Sequence, residues 1–102
     1  MHLVQLLLPT QDAQGRPFER SVYDALMRRL TAEFGGVTAY TRVPATGLWE
    51  AASGETVRDQ VVVYEVMVEA LDPDWWARLR GELEAQFAQQ ELVVRAHEIR
   101  RL

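Results

Sequence analysis

Leu26, Leu30, Ala32 and Phe34 recur as Leu79, Leu83, Ala85 and Phe87, fifty-three positions further along the chain. Each set has the spacing of one helix face, ends in a phenylalanine and leads into an extended segment. A chain that repeats helix-then-strand in this way has two strand-helix-strand halves. Their simplest joint product is one sheet covered by two helices, because each amphipathic helix must bury its stripe against something.

The rest of the pattern fills in that frame. Leu3 to Leu8 is an apolar run of strand length, followed by the polar, turn-rich stretch from Pro9 to Pro17. From about Phe18 the period becomes helical: Val22, Leu26, Leu30 and Phe34 form a stripe flanked by Tyr23 and Met27, and Gly35-Gly36 stops it. Val37 to Val43 predicts a second strand that Pro44 ends, bulges or confines to an edge, since proline has no amide proton for the ladder. Gly47–Ala52 and Glu55–Asp59 then form the arms of a hairpin around Ser53-Gly54, a two-residue turn that sets Trp49 opposite Arg58 as a stacking pair. Gln60 to Ala70 is the strongest strand, with Val62, Tyr64, Val66 and Val68 on one face and Val61, Val63, Glu65, Met67 and Glu69 on the other. Asp72-Pro73-Asp74 opens the second helix as cap, first-turn proline and dipole-matching acid, and Trp76, Leu79, Leu83 and Phe87 are its buried stripe. Glu91 to Ile99 alternates as the last strand.

The order β-α-β-β-α-β predicts an α+β fold, a ferredoxin-like plait in a single domain over residues 1–102. Its four-stranded antiparallel sheet has the first and third strands in the centre, both helices on one face and a hairpin extension. The other face then carries Leu3, Gln5, Leu7, Val61, Val63, Glu65, Met67, Val93, Arg95 and His97. So apolar a face marks a subunit interface or a ligand groove. A homodimer packed sheet on sheet, with Val61, Val63, Met67 and Val93 in the interface, competes with a pocket of a few polar groups among apolar walls.

The candidate chemistry lies on that face. His97 is the only histidine inside a regular element and suits proton transfer near neutrality, against the reading of a hydrogen-bonded structural imidazole. Glu65 in an apolar central strand needs a partner; an ion pair with Arg95 or Arg42 competes with a role as general base. Arg95 and Arg42 are candidate anchors for a ligand anion, Tyr40 and Trp49 candidate walls, and Gln5 a polar neighbour in the first strand. Of Trp75 and Trp76, one belongs to the core and the other covers a loop or a partner. His2 reads as a strand-end residue, so no metal site is expected. No nucleophile elbow or phosphate-binding glycine loop is present, and no cofactor is implied.

Composition narrows the classes. All 11 basic residues are arginine, which points to a GC-rich bacterial genome, and a net charge of −4 without a basic run argues against nucleic acid as a partner. No apolar run is long enough to span a bilayer, and no leader pattern opens the chain, so a cytoplasmic location without membrane association is expected. The absence of cysteine excludes disulfides and thiol chemistry.

Phe34-Gly35-Gly36-Val37-Thr38-Ala39-Tyr40, followed by Gly47-Leu48-Trp49 and a strand carrying Glu65-Val66, resembles a group of small bacterial proteins without an assigned activity. In architecture the chain is also similar to the dimeric α/β-barrel superfamily, which includes cofactor-independent monooxygenases, stress-responsive barrel proteins and haem enzymes. That resemblance implies a dimer with a central cavity and names no substrate. The resulting expectation is a homo-oligomeric binding or assembly module that uses the open sheet face. The alternatives are a small-molecule enzyme of the barrel type, working as a cofactor-independent oxygenase or by isomerase-like proton transfer, and an effector-binding regulatory domain.

Overall fold

The computed structural model describes residues 1–50 and 56–102, with side chains described outside 42–59. Its elements are β1 (His2–Pro9), α1 (Arg20–Phe34), β2 (Thr38–Glu50), β3 (Thr56–Val68), α2 (Pro73–Gln86) and β4 (Val94–Glu98). The strands form one antiparallel sheet in the order β2-β3-β1-β4, so β1 and β3 are central and the chain is a ferredoxin-like plait, as expected.

Strand alternation decides which side chains are buried. On β1 and β3 the facing pairs Val4 with Val66, Leu6 with Tyr64 and Leu8 with Val62 all turn toward the helices and are buried. Leu26 and Leu30 of α1 and Trp76, Leu79 and Leu83 of α2 close over them, with Phe87 and Leu92 completing the core. The two helices run in opposite directions. Phe34 at the end of α1 stacks on Trp76 near the start of α2 at 5.0 Å, and Phe18 before α1 meets Phe87 after α2 edge-on at 5.0 Å. Midway between these contacts Arg29 pairs with Glu82, its counterpart in the repeat, and the guanidinium holds the Glu82 carboxyl below the usual carboxylate range. Trp75 packs edge-on against Phe34, and the Arg29 guanidinium lies 5.9 Å from its ring.

The helix ends depart from the repeat at both termini, since Glu19, the N-cap of α1, makes no side-chain cap bond. Asp72 accepts a hydrogen bond from the Trp75 amide at 3.2 Å, as its N-cap position predicts. Gly35 takes the left-handed conformation after α1 (φ 85°), where glycine carries no steric penalty. Its repeat counterpart is Ala88, also left-handed at φ 50°, where the methyl group opposes the conformation.

Three expectations need correction. β2 does not end at Pro44 but continues to Glu50, and the ladder shifts register between Tyr40 and Ala45, with five steps along β2 against two along β3. That irregularity contains Pro44 and is the expected bulge. The expected hairpin arms are the outer parts of β2 and β3 themselves. Their backbone register pairs Trp49 with Val57 and Leu48 with Arg58, so Trp49 is not opposite Arg58. β4 is shorter than expected because regular pairing to β1 covers only His2 to Leu6, although the Leu7 amide still donates to the Val93 carbonyl at 3.0 Å.

Denaturant unfolding checks these assignments. Leu6→Ala should cost about 2–5 kcal/mol, as a truncation at a site without room to relax, and Asp72→Ala about 1 kcal/mol. Ala88→Gly should instead stabilise the chain by up to about 1 kcal/mol, the relief of the left-handed alanine less the extra freedom of the unfolded glycine.

Candidate functional site

The residues of β1 that alternate with the buried ones face away from both helices, and the register arranges that open face in rows. The first row is Met67, Leu3 and His97; the second is Thr38, Glu65, Gln5 and Arg95; the third is Tyr40, Val63 and Leu7, which Val93 extends on the β4 side. Val61 lies one step beyond, between Ala45 and Pro9. A polar row therefore crosses the sheet between two apolar ones. The third row ends in Tyr40, which leans diagonally toward the second.

The second row is a continuous hydrogen-bonded chain. Arg95 donates through Nε to the Gln5 Oε1 at 2.9 Å, and the other end of the same amide, Nε2, donates to the Glu65 Oε1 at 2.8 Å. Tyr40 donates its hydroxyl to the second Glu65 oxygen at 3.3 Å. Gln5 is thus fixed in orientation: its oxygen serves the cation and its nitrogen the carboxylate, the only arrangement in which both ends of the amide are satisfied. The expected pairing of Glu65 with Arg95 does not occur within the chain, because β1 and its Gln5 stand between the two strands. The expected alternative partner, Arg42, lies outside the described side chains, as does the wall residue Trp49.

Exposure divides the face. Leu3, Gln5, Leu7, Val61, Val63 and Glu65 are half-buried, while Met67 (50%), Val93 (44%) and Tyr40 (54%) are open to solvent, as are Arg95 and His97. Tyr40 is therefore more exposed than its strand position predicts, and its hydroxyl is already engaged. His97 sits in the row beside Arg95, opposite Leu3. His2 points to the helix side at the strand end, with Nε2 3.9 Å from the Glu98 carboxylate, so the two histidines lie on different faces. Among the described residues no cluster of three or more His, Asp or Glu side chains could hold a metal ion, and no helix is long and apolar enough to cross a membrane.

Two hollows mark the surface elsewhere. One, of about 480 Å³, lies on the outer side of α1 at Met27 and Arg28; the other, of about 310 Å³, lies between α2 and β4 at Trp76, Arg80 and Ala96. Of the candidate site residues only Arg95 borders either. The linking role of Gln5 is what sequence reading undervalued. Its signal was a lone amide in an otherwise apolar central strand, where an unpaired polar group is costly.

No family model matches the chain, and no curated protein does. Among solved structures the chain is similar to a phage SAM lyase in complex with S-methyl-5'-thioadenosine, with 16% sequence identity, a TM-score of 0.65, and coverage of 95% of this chain and 80% of that one. At that identity the likeness shows a shared fold.

Introducing a carboxylate into the row tests its connectivity. Gln5→Glu keeps the shape and the bond to Arg95 but sets like charges against Glu65, raising the folded-state pKa of the pair above the unfolded value of about 4.3. A raised value means stability present below the unfolded pKa and lost as pH rises through the folded one. The variant should therefore be less stable than the parent at neutral pH, with the difference closing below about pH 4.3, as read by unfolding across pH.

Proposed function

We propose that this chain is a homo-oligomeric module whose subunits join through the open sheet face. The observation that carries the reading is the composition of that face. Leu3, Leu7, Val61, Val63, Met67 and Val93 stand on a side of the sheet that neither helix covers, and Gln5, Glu65, Tyr40 and Arg95 among them are hydrogen-bonded in one chain. Burying such a face gains apolar area. Val63→Asp or Met67→Asp should convert the assembly to monomers, because either places an unpaired charge in the contact. Native mass spectrometry reads the result, and an unchanged oligomer in both variants overturns the proposal.

A second reading, a small-molecule site on the same face, is favoured by one observation: the phage enzyme of the same fold holds a thionucleoside. In that reading Arg95 anchors the ligand, Glu65 and His97 are the proton carriers, and Tyr40 and Gln5 line the site, with Arg42 and Trp49 from the ribbon. Calorimetric titration with S-methyl-5'-thioadenosine tests it. Saturable binding lost in Arg95→Ala supports a site, and absence of binding to the assembled protein removes this ligand from consideration.

A further inference from the structure

The polar row carries its charges asymmetrically, with a carboxylate on β3, a neutral amide on β1 and a guanidinium on β4. Neither charge is neutralised within the row. Among the described residues Glu65 accepts only from the neutral Gln5 and Tyr40, and Arg95 spends only its Nε on Gln5, which leaves both terminal guanidinium nitrogens without a described partner. Strand spacing puts the backbones of Glu65 and Arg95 about 10 Å apart, with β1 midway. From these positions we infer that the occupant of the face is a second copy of this chain, related by a two-fold axis that runs parallel to β1 over Gln5, with Glu65 of each protomer paired to Arg95 of the other.

The inference rests on the assembly reading and specifies its geometry. A two-fold axis along the strand direction exchanges left and right across the sheet but leaves position along the strands unchanged. Each row therefore meets itself reversed. Glu65 lands over the partner subunit's Arg95, and Arg95 over the partner subunit's Glu65, while Gln5 meets its own copy at the axis. The flanking rows meet in the same way: Met67 lands over the partner subunit's His97 and Leu3 over its own copy in one layer, and Val63 lands over the partner subunit's Val93 and Leu7 over its own copy in the other. Aligned sheets stack about 10 Å apart, a gap that Glu and Arg side chains reaching from opposite sides can bridge. Such a contact is isologous and closes as a dimer. A copy placed with its strands reversed in direction would instead set the polar row against apolar ones wherever the axis does not cross Gln5.

Charge reversal tests the pairing. Glu65→Arg alone faces two arginines against each other at both ends of the row, and Arg95→Glu alone faces two glutamates. Each single variant should weaken self-association by at least about a hundredfold, the consequence of like charges set together in an interface. An equimolar mixture of the two should restore a dimer, because one protomer then brings only arginines and the other only glutamates to the paired positions. Native mass spectrometry distinguishes the hetero-dimer by mass, with circular dichroism confirming that each variant is folded. Dimers that persist in both single variants, or a mixture that stays monomeric, overturn the pairing while leaving assembly through the face intact, and so does a parent of any other stoichiometry. A monomeric parent overturns assembly itself. If either reversal fails to fold, Glu65→Gln and Arg95→Gln serve instead: each should weaken the dimer about tenfold and flatten its salt dependence, and no change in either overturns the pairing.

Discussion

The register between β1 and β3 is the constraint from which the remaining structure follows. Val4, Leu6 and Leu8 face Val66, Tyr64 and Val62, and all six are buried under the helices. Because side chains alternate with a period of two, a one-residue slip of β1 against β3 would turn Val4, Leu6 and Leu8 to the outside and bring Leu3, Gln5 and Leu7 beneath the helices. The slip would also take the Gln5 amide away from Glu65 and Arg95 and bury it, so the register is held both by what is buried and by what must stay out.

The open face inherits its order from that register. Gln5 faces Glu65 on one side and Arg95 on the other because the buried pairs above and below leave no other alignment. The result is a surface with two unlike properties. It is apolar enough to favour covering, and its polar row is joined across three strands through Gln5. The likeness in fold to a phage SAM lyase adds a case in which this architecture accompanies a bound thionucleoside, and at 16% identity it bears on the scaffold alone.

Much of this was legible in the residues. The helix stripes, the Asp72 cap, the Gly35 stop and the buried face of β3 follow from spacing and local chemistry, which act within a few residues. The places where reading failed are those in which distant segments compete. Glu65 looked for Arg95 and was met by Gln5 and Tyr40, since the order of strands, not the attraction of charges, decides which side chains are neighbours. Trp49 and Arg58 looked opposed because a two-residue turn was assumed, whereas the ladder pairs Trp49 with Val57.

By itself the sequence determined the element order, the buried stripe of each helix and the division of each strand into two faces, since periodicity and capping are local properties of the chain. The same fifty-three-residue spacing also separates Arg29 from Glu82 and Gly35 from Ala88. Only the tertiary structure decided that the first of these pairs touches, that the alanine of the second adopts a glycine's conformation, and that one glutamine joins a cation to a carboxylate across three strands. Those outcomes depend on which strands lie side by side and in what register, a choice made by packing the whole core at once.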